Sequence, residues 1–546
     1  MVRTLVAAAI LIAGGPCQDS PPTDPPAPVP ASIDPRGVRG ARIVAGGGDL
    51  PEAVLDRFVQ LCSGDEARIV IVPTASAIED YEQTRQRLLE RWQRRFPRAQ
   101  FAVLHTTSRE VADRADFSAP LAQATGVWFP GGVQKRLADA YLGTRVEHEL
   151  MALCARGGAV GGTSAGAAIQ SRTMIQEGKD PPIVATGFDL VPGAIVDQHF
   201  TQRERLPRLL AALQAHPGHF GLGVDESTAV EVRGRTLVVL GRGTATLALA
   251  AAPGRPERIE LLTSGASADL VTWQRAARDR ALAARTGAPW PPDPMAAPIV
   301  PHGTLVLAGG GAVPAAAADR FVAAAGGAEA RVVLVPSASP REGRGEDPFA
   351  AMLRERGVTA IAVLDAAHPD EVDDAALASL ADATGVWFGG GRQWRLCDAF
   401  EGTPAIAAFH QVLARGGVVG GSSAGATIQA EFLVRGNPLG NRQEWCEGYD
   451  RGFAFLPGCA VDQHFVARDR TEDLQGLVAL LPQLIGLGID EGTAAIVTGS
   501  VMEVVGDSKV AVFDVRGAGE AARKSPQPRW LEAGARWDLA AGAPAK

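Results

Sequence analysis

"ATGVWFPGGVQKRL", residues 124–137, sets a buried-looking β-branched and aromatic run, a glycine turn and the start of a helical stretch one after another. Strand, turn and helix in that order form the building unit of an α/β fold. The stretch returns as "ATGVWFGGGRQWRL" at 383–396. A unit recurring at such a distance signals duplication of a whole domain, not a solenoid.

The repeat extends outward in both directions. "ARIVIVPTASA" (67–77) returns as "ARVVLVPSASP" (330–340), "LVPGAIVDQHF" (190–200) as "FLPGCAVDQHF" (455–465), and "GLGVDESTA" (221–229) as "GLGIDEGTA" (486–494). Copy one is expected over 38–290 and copy two over 301–546, joined at 291–300 by a proline-dense linker that suits neither helix nor inner strand. Copy two carries extra residues near "RGNPLGNRQEWCEGYDRG" (435–452), which reads as a loop. In each copy, short runs such as "RIVIVP", "TGVWFPGG" and "RTLVVLG" alternate with helical stretches such as "YEQTRQRLLERWQRRF" and "KRLADAYLGTRVEHELMALCARG". That alternation predicts two tandem α/β domains, each a mainly parallel sheet flanked by helices. Ligands of such sheets sit beyond the carboxyl ends of the strands, so "PTAS", "FPGG" and "GGTSAG" are the expected functional loops.

Composition narrows the function classes. The 546 residues are 46% hydrophobic and 21% charged, with 53 basic against 61 acidic side chains and a net charge of −8. No basic stripe offers itself to phosphates, which argues against a nucleic-acid partner. The six cysteines show no zinc-ligand spacing; Cys446 and Cys459 are a conceivable pair, but most suit small core positions. At the N-terminus, Arg3 followed by an apolar run from Leu5 to Ala13 has the shape of a secretory signal over 1–16. The proline-rich stretch within 17–37 then reads as a tether, and Cys17 is a candidate for lipid attachment. The protein is therefore expected to be exported.

"GGTSAGAAIQ" (161–170) and "GGSSAGATIQ" (420–429) place Ser164 and Ser423 in matching G-x-S-x-G frames. In that frame a sharp strand-to-helix turn exposes the hydroxyl and aims the next backbone N–H at an oxyanion. A serine also needs a base and a group to orient it. Of nine histidines, His199 and His464 recur within an identical "DQHF". Acids follow in "VDES" and "IDEG", where Glu226 competes with Asp225 and Glu491 with Asp490. Neighbours on a strand face opposite sides, so only one of each pair can meet its histidine.

Together, G-[TS]-S-A-G-A, F-x-G-G-x-Q-x-x-L, D-Q-H-F-x-x-R-x-R and G-[LIV]-G-[IV]-D-E-x-T-A resemble cyanophycinase and its relatives in peptidase family S51, across both copies. The serine motif alone would also suit aspartyl dipeptidases. The resemblance implies a flavodoxin-like (class I glutamine amidotransferase-like) fold, no metal or cofactor, and a peptide substrate. It implies Ser164, His199 and Glu226 as one triad and Ser423, His464 and Glu491 as the other. The implied oxyanion donors are Gly132 and Ala165 in copy one, and Gly391 and Ala424 in copy two. Implied substrate-binding residues are Gln134, Asp197, Gln198, Arg203, Arg205 and Arg208, with Gln393, Asp462, Gln463, Arg468 and Arg470 in copy two.

The implied activity is release of β-Asp-Arg dipeptides from the end of cyanophycin; the alternatives are an aspartyl or isoaspartyl dipeptidase and a non-catalytic peptide-binding protein. Copy two departs where Asp473 stands in place of Arg208, and where Arg392 replaces Val133. An anion in place of a cation is expected to weaken substrate binding there. Because relatives of this kind work as homodimers, the two copies are expected to pack as an intramolecular pseudo-dimer.

Overall fold

The apolar runs form strands buried on both faces. In the computed structural model, which describes residues 33–545, Gly126–Phe129 is wholly buried, with Val127 and Phe129 in one core and Trp128 in another across the sheet. The expected signal segment, Cys17 and residues 18–32 of the tether lie outside the described residues.

Copy one has an eight-stranded sheet whose parallel part runs Gln100–Val103, Arg68–Ile71, Gly126–Phe129, Ala159–Thr163, Val38–Ala45. Counted from Arg68–Ile71, the first four strands follow the flavodoxin order 2-1-3-4, and the N-terminal strand Val38–Ala45 fills the fifth place. Three antiparallel strands, Thr228–Gly234, Thr236–Gly241 and Ser267–Asp269, extend that edge. Copy two repeats the arrangement in a nine-stranded sheet.

Two features depart from the sequence expectation. Each copy has a second sheet, in copy one Ala194–Gln198 parallel to Phe220–Val224, which pairs antiparallel with Ala245–Leu249 and then Arg258–Leu262. The stretch read as one helix after Gln134 is two, Gln134–Tyr141 and Arg145–Ala155, because Gly143 turns the chain at φ 69°. The five described cysteines are buried free thiols, so Cys446 and Cys459 are not bridged.

The copies meet across a buried ionic network. Asp398 of copy two, almost fully enclosed, accepts hydrogen bonds from Arg235 at 2.6 Å and Arg275 at 2.9 Å, and from Tyr449 at 2.7 Å. Asp450, also buried, accepts from Arg255 at 2.7 Å, and Glu447 accepts from Arg280 at 2.6 Å. Helix Leu270–Thr286 of copy one lies at this contact, and its Val271 joins the apolar core of copy two. Removing one member of a buried ion pair strands the others, at about 3–5 kcal/mol. Asp398→Ala is therefore expected to lower the unfolding free energy by about that amount; chemical denaturation followed by circular dichroism would show it, and a loss under about 1 kcal/mol would mean water relieves the two arginines.

Candidate active site

One backbone segment holds the site together. The carbonyls of Ala45, Gly46 and Gly47 accept hydrogen bonds from the N–H groups of Ser164 (2.9 Å), His199 (2.8 Å) and Ser227 (2.9 Å). Three successive residues of the N-terminal strand's exit thus fix the serine at the end of one sheet, the histidine at the end of the other, and the residue after Glu226. In copy two, Ala308, Gly309 and Gly310 hold Ser423 (3.0 Å), His464 (2.7 Å) and Gly492 (3.1 Å) in the same way. Gly47 has φ 107°, and a Cβ there would lie 2.3 Å from the His199 ring; at Gly310 the figures are 112° and 2.2 Å. The sequence reading overlooked these glycines, although "AGGG" recurs at 45–48 and 308–311.

The side chains so placed form hydrogen-bonded chains. Ser164 Oγ donates to His199 Nε2 at 2.9 Å, and His199 Nδ1 donates to Glu226 Oε1 at 2.6 Å. A carboxylate only accepts, which puts the ring proton on Nδ1 and leaves Nε2 free to receive one. In copy two the distances are 2.8 Å from Ser423 to His464 and 2.5 Å from His464 to Glu491. Both serines sit at positive φ, 54° and 55°, between a strand and a short helix. Burial lowers the pKa of His199 and His464; the bonded glutamate opposes this, and nearby Arg203 or Arg468 adds to it.

The rival acids have other work. Asp225 accepts from the backbone N–H and hydroxyl of both Thr201 and Thr244, at 2.6–3.1 Å. Burial alone would raise its pKa, but these four bonds hold it below the ordinary carboxylate value. Asp490 accepts from the Val466 and Ala467 N–H groups and the Ser508 hydroxyl. Each aspartate braces the turn that carries its histidine. Gly131 lies against Ser164, where a Cβ would sit 3.9 Å from Ser164 Oγ. Gly132 and Ala165 follow the two strand ends that flank this point, as Gly391 and Ala424 do in copy two.

The remaining expected residues divide by burial. Arg203 and Arg468 are exposed beside their histidines. Gln134 is buried and donates to the Ile175 and Gln176 carbonyls at 2.9 and 2.8 Å, whereas the Nε2 of buried Gln393 has no acceptor among the described residues. Asp197 is fully buried, gripped by Arg208 in a two-pronged pair and touched by Arg205 at 3.2 Å. Arg205 also donates to the Gln198 carbonyl, and Arg470 to Asp462 and to Gln463.

The charge reversal at Asp473 is compensated. Arg435, from the loop-like extra stretch, grips buried Asp462 at 2.8 and 2.7 Å and also meets Asp473 at 2.9 Å. Both copies therefore keep a guanidinium clamped on the aspartate two residues before the histidine, delivered from different segments. The adjacent Arg392 donates to the Asn437 and Gly440 carbonyls of the same extra stretch.

The profile of Peptidase family S51 matches residues 43–240 and 305–505. The chain belongs to peptidase family S51. Its relatives include the cyanophycinase of Synechococcus elongatus, 36% identical over 204 residues that make up 36% of this chain and 62% of that protein. The cyanophycinase of Nostoc sp. (strain PCC 7120) is 34% identical over 235 residues, 39% of this chain and 74% of the relative. That of Geminocystis herdmanii is 32% identical over 225 residues, 38% and 80% respectively. The matched stretch thus spans less than two thirds of the Synechococcus elongatus protein. Among solved structures, a peptidase from an acI-B1 Actinobacterium aligns with a TM-score of 0.36 at 22% identity, over 43% of this chain and 98% of its own.

The exchange between Arg208 and Arg435 makes a direct prediction. Arg435→Met is expected to destabilise the chain by about 3 kcal/mol, because Asp462 loses its two-pronged partner. Adding Asp473→Arg, which rebuilds the arrangement of copy one, should recover more than half of that loss in denaturant titrations. No recovery would mean that the two segments are not interchangeable.

Proposed function

We propose that this chain is an exported serine-type peptidase with two working sites, at Ser164 and Ser423, and that it releases β-Asp-Arg dipeptides from a cyanophycin-like polymer. The observation that carries the reading is the same Ser-His-Glu chain, with matching distances, in both copies. The substrate class rests on relatives named as cyanophycinases. Ser164 Oγ attacks the amide carbonyl while His199 Nε2 takes its proton and Glu226 steadies the resulting imidazolium. The N–H groups of Gly132 and Ala165 face the developing oxyanion. The imidazolium then protonates the leaving amine, and water, activated by the same base, frees the acyl group. Ser423, His464 and Glu491 repeat these roles with Gly391 and Ala424. Exposed Arg203 and Arg468 are the guanidinium groups left for a substrate carboxylate, while Asp197 and Asp462 act by holding Arg205 and Arg470. The packed copies stand in for the two subunits of a dimer.

Cyanophycin digestion, with β-Asp-Arg read by mass spectrometry, tests the proposal. Ser164→Ala and Ser423→Ala are each expected to keep the share of the other site, and the double variant should fall by about 10⁴-fold or more. No dipeptide from the unaltered chain would remove this substrate; full activity in the double variant would remove the mechanism. The acid limb of kcat/KM should have its midpoint below 6.5, since the histidines must be neutral to accept a proton and their pKa values are lowered. Activity is thus retained above that point and lost as pH falls through it; a midpoint above 7 in either single-serine variant would contradict the assignment.

A further inference from the structure

A cavity of about 720 Å³ opens beside Ser423, walled by Val313, Phe349, Met352 and Trp387 and bearing the carboxylate of Asp347. Phe349 stacks flat on Trp387, with ring centres 3.6 Å apart, so the two rings form one continuous apolar wall. Neither the buried Arg435–Asp462 pair nor Gln393 lines this cavity.

Its charges do not cancel. Arg344, at the rim, is occupied by Asp365 and by the carbonyls of Pro336 and Ser339, at 3.0 Å each. Glu346 is matched by Arg354. Asp347 Oδ1 accepts the Phe349 N–H at 2.9 Å, capping the helix Pro348–Glu355, while Oδ2 accepts no hydrogen bond among the described residues. That free oxygen faces Gly389, where a Cβ would lie 3.0 Å from it, and the next residue, Gly390, lies against Ser423. Burial raises the Asp347 pKa, with Arg344 opposing, as expected of a carboxylate short of partners.

Copy one is built differently here. Its loop from Pro73 to Asp80 is four residues shorter than the loop from Pro336 to Asp347. Asp80 is exposed, and Tyr81, which follows it, turns away to bond the Val103 carbonyl at 3.1 Å.

We propose that the cavity is a side-chain subsite of the Ser423 centre, taking a substrate side chain with an apolar stem and a cationic end that pairs with Asp347, and that the Ser164 centre lacks it. The stem lies along Phe349, Met352 and Val313, and the cationic end gives Asp347 Oδ2 the partner it lacks among the described residues. The two centres then differ in the residues they accept. This inference rests on the reading of Ser423 as a nucleophile.

The test uses the Ser164→Ala chain. Labelling of Ser423 by a small alkyl fluorophosphonate, read by peptide mass, checks the nucleophile. Butylguanidine is expected to protect Ser423 at about tenfold lower concentration than its neutral counterpart butylurea. Asp347→Asn, which keeps the helix cap, should bring the two compounds together. Equal protection in the unaltered site, or a preference that survives Asp347→Asn, overturns the subsite and leaves the nucleophile standing. If Ser423 takes no label, the nucleophile reading fails. The cavity is then judged by calorimetry, where butylguanidine heat lost in Asp347→Asn supports a cation site and heat unchanged by the substitution overturns it.

Discussion

The geometry of the candidate site depends on three backbone carbonyls in a row. Ala45, Gly46 and Gly47 each accept one N–H from a different segment of the candidate site, and Ala308, Gly309 and Gly310 do the same in copy two. A serine at the end of one sheet and a histidine and glutamate at the ends of two strands of another would otherwise depend on how two sheets happen to pack. A backbone hydrogen bond has a narrow length range, so the three-carbonyl segment converts loose packing into fixed separations. The imidazole lies so close to this segment that a side chain at Gly47 or Gly310 would enter the ring. Glycine is needed there for space as much as for its positive φ.

Around that fixed centre, the copies vary what the geometry permits. The buried aspartate two residues before each histidine must be matched by a guanidinium, since an unpaired charge at that depth is costly. The requirement concerns charge and reach, not chain position. Copy one meets it with Arg208 on the helix Leu206–Ala215; copy two meets it with Arg435 and carries Asp473 on the equivalent helix. The substitution that looked like a lost cation is half of an exchange. The other half lies where copy two carries extra residues, outside the helix that holds Arg208 and Asp473, so a comparison confined to that helix shows only the lost cation.

Much of the site was legible because chemistry repeated where sequence did not have to. Two "DQHF" segments and two G-x-S-A-G frames named the serines and histidines, and opposite-facing neighbours left only the choice between Asp225 and Glu226. The residues alone left that choice open and the family resemblance pointed to Glu226; the structure adds that Asp225 is occupied by Thr201 and Thr244. The parallel core was readable from "GVWF" and its like, whose unbroken apolar character reflects burial on both faces. The second sheet was not, because strands such as Ala245–Leu249 show no marker of which sheet they join. The break at Gly143 was visible as a glycine, but helical periodicity continues across it.

Each Ser-His-Glu hydrogen-bonded chain lies whole within its own copy, apart from the described ion pairs between copies. The ionic character of the contact between copies then has a different significance. Buried ion pairs add little net stability over well-packed apolar side chains, yet they are intolerant of misregister. Arg235 and Arg275 share Asp398, Arg275 also meets Glu401, Arg255 meets Asp450 and Glu447, and Arg280 meets Glu447. Glu447, Tyr449 and Asp450 belong to the same extra stretch that sends Arg435 to Asp462 and receives Arg392 from beside Gly391. One end of that stretch is held by copy one and the other reaches the Ser423 centre. The corresponding hairpin of copy one, Thr173–Glu177 with Ile183–Thr186, is bound to Gln134 and Arg208 of its own copy. The surroundings of the Ser423 centre are therefore built partly on copy one, whereas those of the Ser164 centre are built from copy one itself.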